Sequence, residues 1–232
     1  MPTVLITGAN RGLGLEFVRQ YLRDGWRIIA TCRKPDQARE LQETGADYQG
    51  YCEIYPLEVT DNDAIHALAT QLKGTAIDIF IQNAGIDHED GFRQTSYADR
   101  LQIFRINTLP VLVIAEAFID HIAASNQKKL VYISSLKAST ALSAGHTGGG
   151  QYSYRASKAA GNSIIKALSF DLAEQGVITA AVSPGWVRTD MGGPHAPLSP
   201  EESVTQVRQV ITGLTLENSG GYFNQDGKAN PW

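Results

Sequence analysis

The sequence is poor in cysteine: Cys32 and Cys52 are its two thiols, and they lack the CxxC spacing of a redox or metal motif. Two such residues build no disulfide framework, so free thiols in a reducing, cytoplasmic compartment are expected. Histidine is equally sparse. His66, His88, His121, His146 and His195 show none of the short spacings that set two imidazoles on one ion, and no metal site is expected. A basic run is also missing, and the formal charge is -4, which argues against a nucleic-acid footprint or a membrane-binding helix. No stretch reaches the roughly 18 uncharged apolar residues of a membrane span. The apolar run from Pro110 to Ala115, for example, meets Glu116. Met1 and Pro2 lead straight into Thr3-Val4-Leu5-Ile6 without the basic region, long apolar core or cleavage site of a signal peptide, so the first segment reads as structure.

What is present is a regular alternation. Short apolar runs at 3–7, 27–32, 51–55, 77–82, 129–134, 177–183 and 221–224 read as strands, and 12–24, 36–44, 61–73, 98–124, 152–175 and 200–213 carry helical spacing. Near-continuous strands such as Asp78-Ile79-Phe80-Ile81 suit a sheet covered on both faces. The expectation is a single-domain α/β Rossmann-type fold over 1–232, doubly wound, with a mostly seven-stranded parallel sheet flanked by helices. No repeat, low-complexity segment or long linker divides the chain, and 43% hydrophobic content is enough for one core. Two loops stand out. Residues 137–151 hold Gly145, Gly148, Gly149 and Gly150, and 184–200 hold four prolines and three glycines. Both follow the carboxyl ends of strands, where open α/β sheets bind ligands.

Thr7-Gly8-Ala9-Asn10-Arg11-Gly12-Leu13-Gly14 lies between the first strand and the first helix, the place where glycines let backbone N–H groups approach a pyrophosphate. An NAD site sets an acid at the end of the second strand to hold the ribose; here the strand ends Thr31-Cys32-Arg33. With Arg33 and Arg11 available to converge on a 2′-phosphate, NADP(H) is the expected cofactor.

Tyr154-Arg155-Ala156-Ser157-Lys158 places a phenol and an ammonium four residues apart, on one face of a helix. Tyr152 is six residues from Lys158, about 240° around the helix, and fails that test. A tyrosine with an ordinary pKa of about 10 is a poor neutral-pH catalyst, and the Lys158 charge is expected to lower it. Ile133-Ser134-Ser135 ends the fifth strand; consecutive side chains there point to opposite faces, so one serine enters the cleft.

Taken together, TGANRGLG at 7–14, Asn83-Ala84-Gly85, Asn107, the serine of ISS at 133–135, YRASK at 154–158 and Pro184-Gly185 with Thr189 resemble the short-chain dehydrogenase/reductase family, in family order. The resemblance selects Ser135 over Ser134 and implies a catalytic tetrad of Asn107, Ser135, Tyr154 and Lys158, with Asn107 organising a water near Lys158. It implies cofactor contacts from Gly8, Asn10, Arg11, Gly12, Leu13, Gly14, Arg33, Glu58, Val59, Asn83, Ala84, Gly85, Tyr154, Lys158, Pro184, Gly185, Val187 and Thr189. PGWVRTDMGG at 184–193 and the ending GYFNQDGKANPW resemble the C-factor and sniffer-like carbonyl reductase branch, which implies NADPH-dependent reduction of an aldehyde or ketone. Related alcohol, steroid or pteridine oxidoreductases and a C-factor-like nucleotide-binding signalling protein are the alternatives. The implied partners are a small carbonyl or alcohol substrate and a second copy of the chain, joined through the 98–124 and 152–175 helices; neither nucleic acid nor membrane is expected. Three departures stand out. Glu58 takes the place of a commoner aspartate and Gln82 that of a commoner asparagine, while Pro110 is expected to kink the Asn107 helix. The long interval from 135 to 154 implies that 139–151 form an extra wall of the substrate pocket.

Overall fold

The computed structural model describes residues 1–88, 91–142 and 149–232. Residues 89–90, and residues 143–148 of the expected 137–151 loop with Gly145, His146 and Gly148, lie outside the described residues. Seven strands form: β1 (Thr3–Thr7), β2 (Arg27–Cys32), β3 (Cys52–Pro56), β4 (Ile79–Gln82), β5 (Lys129–Ile133), β6 (Ile178–Ser183) and β7 (Gly221–Asn224). They make one sheet in the order β3-β2-β1-β4-β5-β6-β7, with every pair parallel.

The period-2 alternation of each strand feeds two cores. Val4, Ile6, Ile28, Ala30 and Ile81 point to one face, where Leu15, Phe17 and Val18 of α1 (Gly12–Arg23), Leu41 of α2 (Arg39–Ala46) and Val204, Val207 and Ile211 of α7 (Pro200–Thr212) cover them. Leu5, Ile29, Phe80 and Leu130 point the other way. They meet Ile65 and Leu68 of α3 (Asn62–Gln71), Ile114 and Phe118 of α5 (Leu109–Ala123) and Leu168 of α6 (Tyr152–Asp171). Both faces are dry, which is why the strands read as apolar runs and not as alternating ones.

The expected 98–124 helix is divided. α4 (Tyr97–Asn107) ends one residue before Thr108, and α5 begins at Leu109 with Pro110 in its first turn, where a missing N–H costs nothing. Thr108 Oγ1 donates to the Ser157 carbonyl at 2.9 Å, tying the bend to α6. The helical stretch Tyr97–Ala123 contains a window of mean hydropathy 1.5 and is long and apolar enough to cross a membrane by length and composition. Here its residues Val111, Ile114, Ala115, Phe118 and Ile122 are buried in the fold.

From β1 the chain winds outward through β2 and β3, then returns to place β4 on the other side of β1. Loops leaving β1 and β4 therefore diverge, opening a crevice at their carboxyl ends, and the loops after β5 and β6 rise beside it.

Candidate active site

The crevice is held open by side chains pinning one loop to the next. Thr7 Oγ1 accepts from the backbone N–H groups of Asn83 (3.1 Å) and Ala84 (3.0 Å), while Asn83 Nδ2 donates to the carbonyls of Thr7 (2.9 Å) and Gly8 (3.1 Å). Gly8 and Gly12 have φ of +66° and +55°, a left-handed backbone that L side chains rarely adopt. A Cβ on Gly14 would collide with the Gly8 carbonyl oxygen and lie 2.7 Å from Asn83 Nδ2. The loop thus needs glycine to close. Directly behind it, α1 starts with no side-chain cap at Arg11 and no acidic residue in its first turn. Its free N–H groups and the positive end of its dipole suit a bound phosphate, so the residues present fit a dinucleotide.

Around that loop the remaining expected contacts are distributed unevenly. Asn10 and Arg11 are exposed, Leu13 is half-buried, and Arg11 pairs with Asp190 at 2.9 Å across to the loop after β6. The two arginines thus do not converge in this structure: Arg33 stands exposed at the end of β2. The Arg11–Asp190 pair is solvent-screened, with side chains 67% and 80% exposed, so it opposes a rearrangement only weakly. Val59 is buried, and the Glu58 carboxylate is occupied by the backbone N–H (3.2 Å) and hydroxyl (3.1 Å) of Thr60. Pro184 is fixed by Ser203, whose hydroxyl donates to its carbonyl at 2.7 Å. Gly185 has φ +78°, Val187 is buried, and the Thr189 methyl would lie 3.5 Å from a Cβ on Gly12.

Tyr154, Lys158, Ser135 and Asn107 come together. Tyr154 is 8% exposed, with the Ser135 hydroxyl placed to pull its pKa down, whereas Tyr152 is 45% exposed and packs edge-on against Phe92. Ser134 turns the other way, donating to Asn162 Oδ1 at 2.5 Å inside the core. Lys158 Nζ donates to the Ile133 carbonyl at 2.8 Å and sits over the Tyr132 ring at 4.7 Å, a cation–π contact. A Cβ on Gly85 would lie 3.2 Å from Asn107 Oδ1 and 3.3 Å from Lys158 Nζ, so both groups flank one point. Asn107 itself clamps the loop after β4. Its Oδ1 accepts from the Ile86 N–H (2.9 Å), and its Nδ2 donates to the Ile86 carbonyl (2.9 Å) and to Ser157 Oγ (3.1 Å).

The electrostatics differ from the sequence expectation. Burial pushes the Tyr154 phenol up to about 12, the Ser135 hydrogen bond pulling downward and the Asp87 charge pushing upward. Burial depresses Lys158 to about 7, with Asp87 working against it. Burial outweighs any pull from Lys158, whose ammonium lies 6.0 Å from the Tyr154 ring centroid and donates to Ile133. The lysine has a consequence for stability. Between pH about 7 and its ordinary 10.5, the unfolded chain carries a proton on Lys158 that the folded chain lacks. Stability from this group therefore rises with pH across that window, by up to about 1.4 kcal/mol per unit for one proton. Without nucleotide, the wild-type Tm is expected to gain on that of Lys158→Met from pH 7 to 9. Parallel Tm curves would contradict the assignment.

Several residues at the site carried no sequence signal. The Tyr222 phenol donates to the Ser135 carbonyl at 2.5 Å, and the Tyr132 phenol to the Asn107 carbonyl at 2.9 Å. Strand alternation in β7 places Tyr222 inward but does not reveal its partner. Gln151, with φ +51°, links Asp87 to Lys137 through its side-chain amide. Trp186 and Met191 are exposed, whereas the Trp232 carbonyl accepts from Ala141 N (3.1 Å) and Thr140 Oγ1 (3.2 Å), and its ring lies 5.7 Å from that of Tyr222.

A doubly wound parallel sheet with a glycine-rich phosphate cradle and a Ser-Tyr-Lys cleft defines the class of dinucleotide-dependent oxidoreductases. Within that class the chain belongs to the short chain dehydrogenase family, whose model matches residues 2–197. It is similar to the NADPH-bound carbonyl reductase from chicken fatty liver, with 34% identity and a TM-score of 0.93 over 100% of this chain and 99% of that one. The carbonyl reductase Sniffer of D. melanogaster is 31% identical with a TM-score of 0.92, covering 100% of both chains. The C-signal of Myxococcus xanthus is 36% identical over 169 residues, 72% of this chain and all of that protein.

Proposed function

We propose that the protein is an NADPH-dependent carbonyl reductase that converts an aldehyde or ketone into an alcohol. The observation that carries this reading is the convergence of Ser135, Tyr154, Lys158 and Asn107 in one cleft, with Asn107 Oδ1 and Lys158 Nζ flanking Gly85 and Ser135 acting on the buried Tyr154 phenol. NADPH, when bound, supplies the hydride. Gly8, Gly12, Gly14 and the start of α1 would hold its pyrophosphate, and Arg33, with Arg11 released from Asp190, its 2′-phosphate. Asn83, Ala84, Gly85, Pro184, Gly185, Val187 and Thr189 would line the remainder, with Val59 and Glu58 near the base, the Glu58 carboxylate accepting from Thr60.

The chain's own groups handle the oxygen and the proton. Ser135 Oγ donates to the substrate oxygen as negative charge grows there, and Tyr154 Oη releases its proton to the same atom. A phenol kept protonated by burial is suited to donation; the reverse direction requires a base, which the Lys158 charge would favour. Lys158 would also hold the nicotinamide ribose. Asn107 holds the Ile86 peptide in place, shaping the wall beside Lys158.

The family and the two carbonyl reductase neighbours support this reading, as does the absence of an acid at the end of β2 for the cofactor choice. Wild-type kcat/KM is expected to favour NADPH over NADH at least tenfold, with Arg33→Ala reducing the ratio by roughly tenfold or more; the loss of one charge-assisted contact, roughly 1.5–3 kcal/mol, sets that scale. A preference for NADH would contradict the cofactor assignment. A second reading, a nucleotide-binding signalling protein, draws support from the identity with C-signal. NADPH oxidation against a panel of aldehydes, ketones, quinones and diketones separates the two. Turnover supports the reductase, and tight NADPH binding with no turnover on any member supports the signalling protein.

A further inference from the structure

The turn that carries Ser135 also carries a cation with no ion-pair partner among the described residues. Lys137 follows two residues later on the Leu136–Ala138 3-10 turn, and its backbone N–H donates to Ser135 Oγ at 3.2 Å. Its ammonium is half-buried and donates to Gln151 Oε1, a neutral acceptor. Among the described residues no carboxylate lies within ion-pair distance of it. Asp87, the nearby acid, is held off by one side chain: its Oδ2 accepts from Gln151 Nε2, while its Oδ1 is buried without a hydrogen-bond partner. Gln151 thus stands between the two charges, in a left-handed conformation directly before α6, three residues ahead of Tyr154.

We propose that Lys137 is a specificity-determining residue that recognises a carboxylate on the carbonyl substrate, so that the preferred substrates are aldehydes or ketones carrying an anionic group a short spacer away from the C=O. This inference rests on the carbonyl-reductase reading. An ammonium has three donors, and one neutral amide uses one of them. Desolvation lowers the Lys137 pKa, with Asp87 working against it and Arg155 adding to it, which marks a site where an incoming anion restores the charged form. The flexible ammonium exchanges the Gln151 oxygen for a carboxylate oxygen, forming a charge-assisted bond in a partly desolvated place. Because Lys137 and Ser135 share one turn, a substrate oxygen on Ser135 leaves the carboxylate of a compact molecule near Lys137.

The test compares 4-carboxybenzaldehyde with its methyl ester, using NADPH and the full chain. The ester has the more electrophilic aldehyde, so intrinsic reactivity works against the expected result. Wild type is expected to favour the carboxylate by roughly tenfold or more in kcat/KM, chiefly through KM, the worth of one charge-assisted hydrogen bond. Lys137→Met should bring the ratio to about one or below, and Lys137→Arg should retain the preference. Because each ratio is taken within one protein, it is insensitive to how much of a variant folds. A wild-type ratio of one or less, or an unchanged ratio in Lys137→Met, would overturn the proposal while leaving ester reduction as evidence for the reductase. Failure to reduce either aldehyde would overturn both.

Discussion

Replacing Tyr154 by phenylalanine is expected to lower kcat by roughly 10²–10⁴-fold while NADPH still binds, the range that loss of a positioned general acid produces. The change removes one oxygen from a buried ring and keeps the ring's volume. It leaves Ser135 free to contact the substrate oxygen, so KM should move far less than kcat. Single-turnover kinetics with NADPH, together with fluorescence titration of the nucleotide, measure the two effects separately. Turnover within tenfold of wild type would remove Tyr154 from the mechanism. The neighbouring Tyr152→Phe serves as the control: its ring is exposed against Phe92, and its loss should leave turnover unchanged.

The second large effect is expected at Asn107. Asn107→Ala strips the Ile86 N–H and carbonyl of their partners and opens a gap beside Ser157, in a place where the asparagine is 1% exposed. Each buried group left unsatisfied costs about 1–3 kcal/mol, so a loss of roughly 2–4 kcal/mol in folding stability is expected, allowing for partial relaxation. The loop after β4 carries Gly85 between Asn107 and Lys158, so turnover should fall with the loosening of that loop. Denaturant unfolding in the absence of nucleotide isolates the stability effect. A variant as stable as wild type would show that the clamp on Ile86 carries no net energy. Asn107→Asp offers a partial contrast, since it keeps an acceptor for the Ile86 N–H and loses the donor to the Ile86 carbonyl.

Much of this architecture is legible in the chain because it depends on local periodicity. β1, β2 and β7 fall where the apolar runs lie, and the Pro110 ring sets the break between α4 and α5 for the reason that proline always breaks a helix interior. Helical spacing separates Tyr154 from Tyr152, and their burial agrees with that separation. The Ser134 and Ser135 pair illustrates the limit: alternation says that one serine enters the cleft, the family resemblance selects Ser135, and the contact with Asn162 shows Ser134 turned into the core.

Contacts between distant segments carry no such signal. Gln151 meets Asp87 from 64 positions away, and Tyr222 reaches the Ser135 carbonyl across 87. Neither spacing has a period to detect. Electrostatics are hidden for the same reason. The sequence predicts that the Lys158 charge lowers Tyr154, yet burial governs both groups, because the ring and the ammonium are buried in a cleft whose desolvation depends on the whole fold. Arg11 likewise answers to Asp190, 179 residues away, instead of joining Arg33.

The central claim is that hydride passes from NADPH to a carbonyl carbon whose oxygen is protonated by Tyr154. Its most direct test is a reaction of wild type with NADPH deuterated at the transferring position of the nicotinamide and an aldehyde substrate, followed by mass analysis of the alcohol. The account expects one deuterium on the former carbonyl carbon, at a rate that collapses in Tyr154→Phe. Bound NADPH with no labelled alcohol, or label transfer undiminished in Tyr154→Phe, would contradict it.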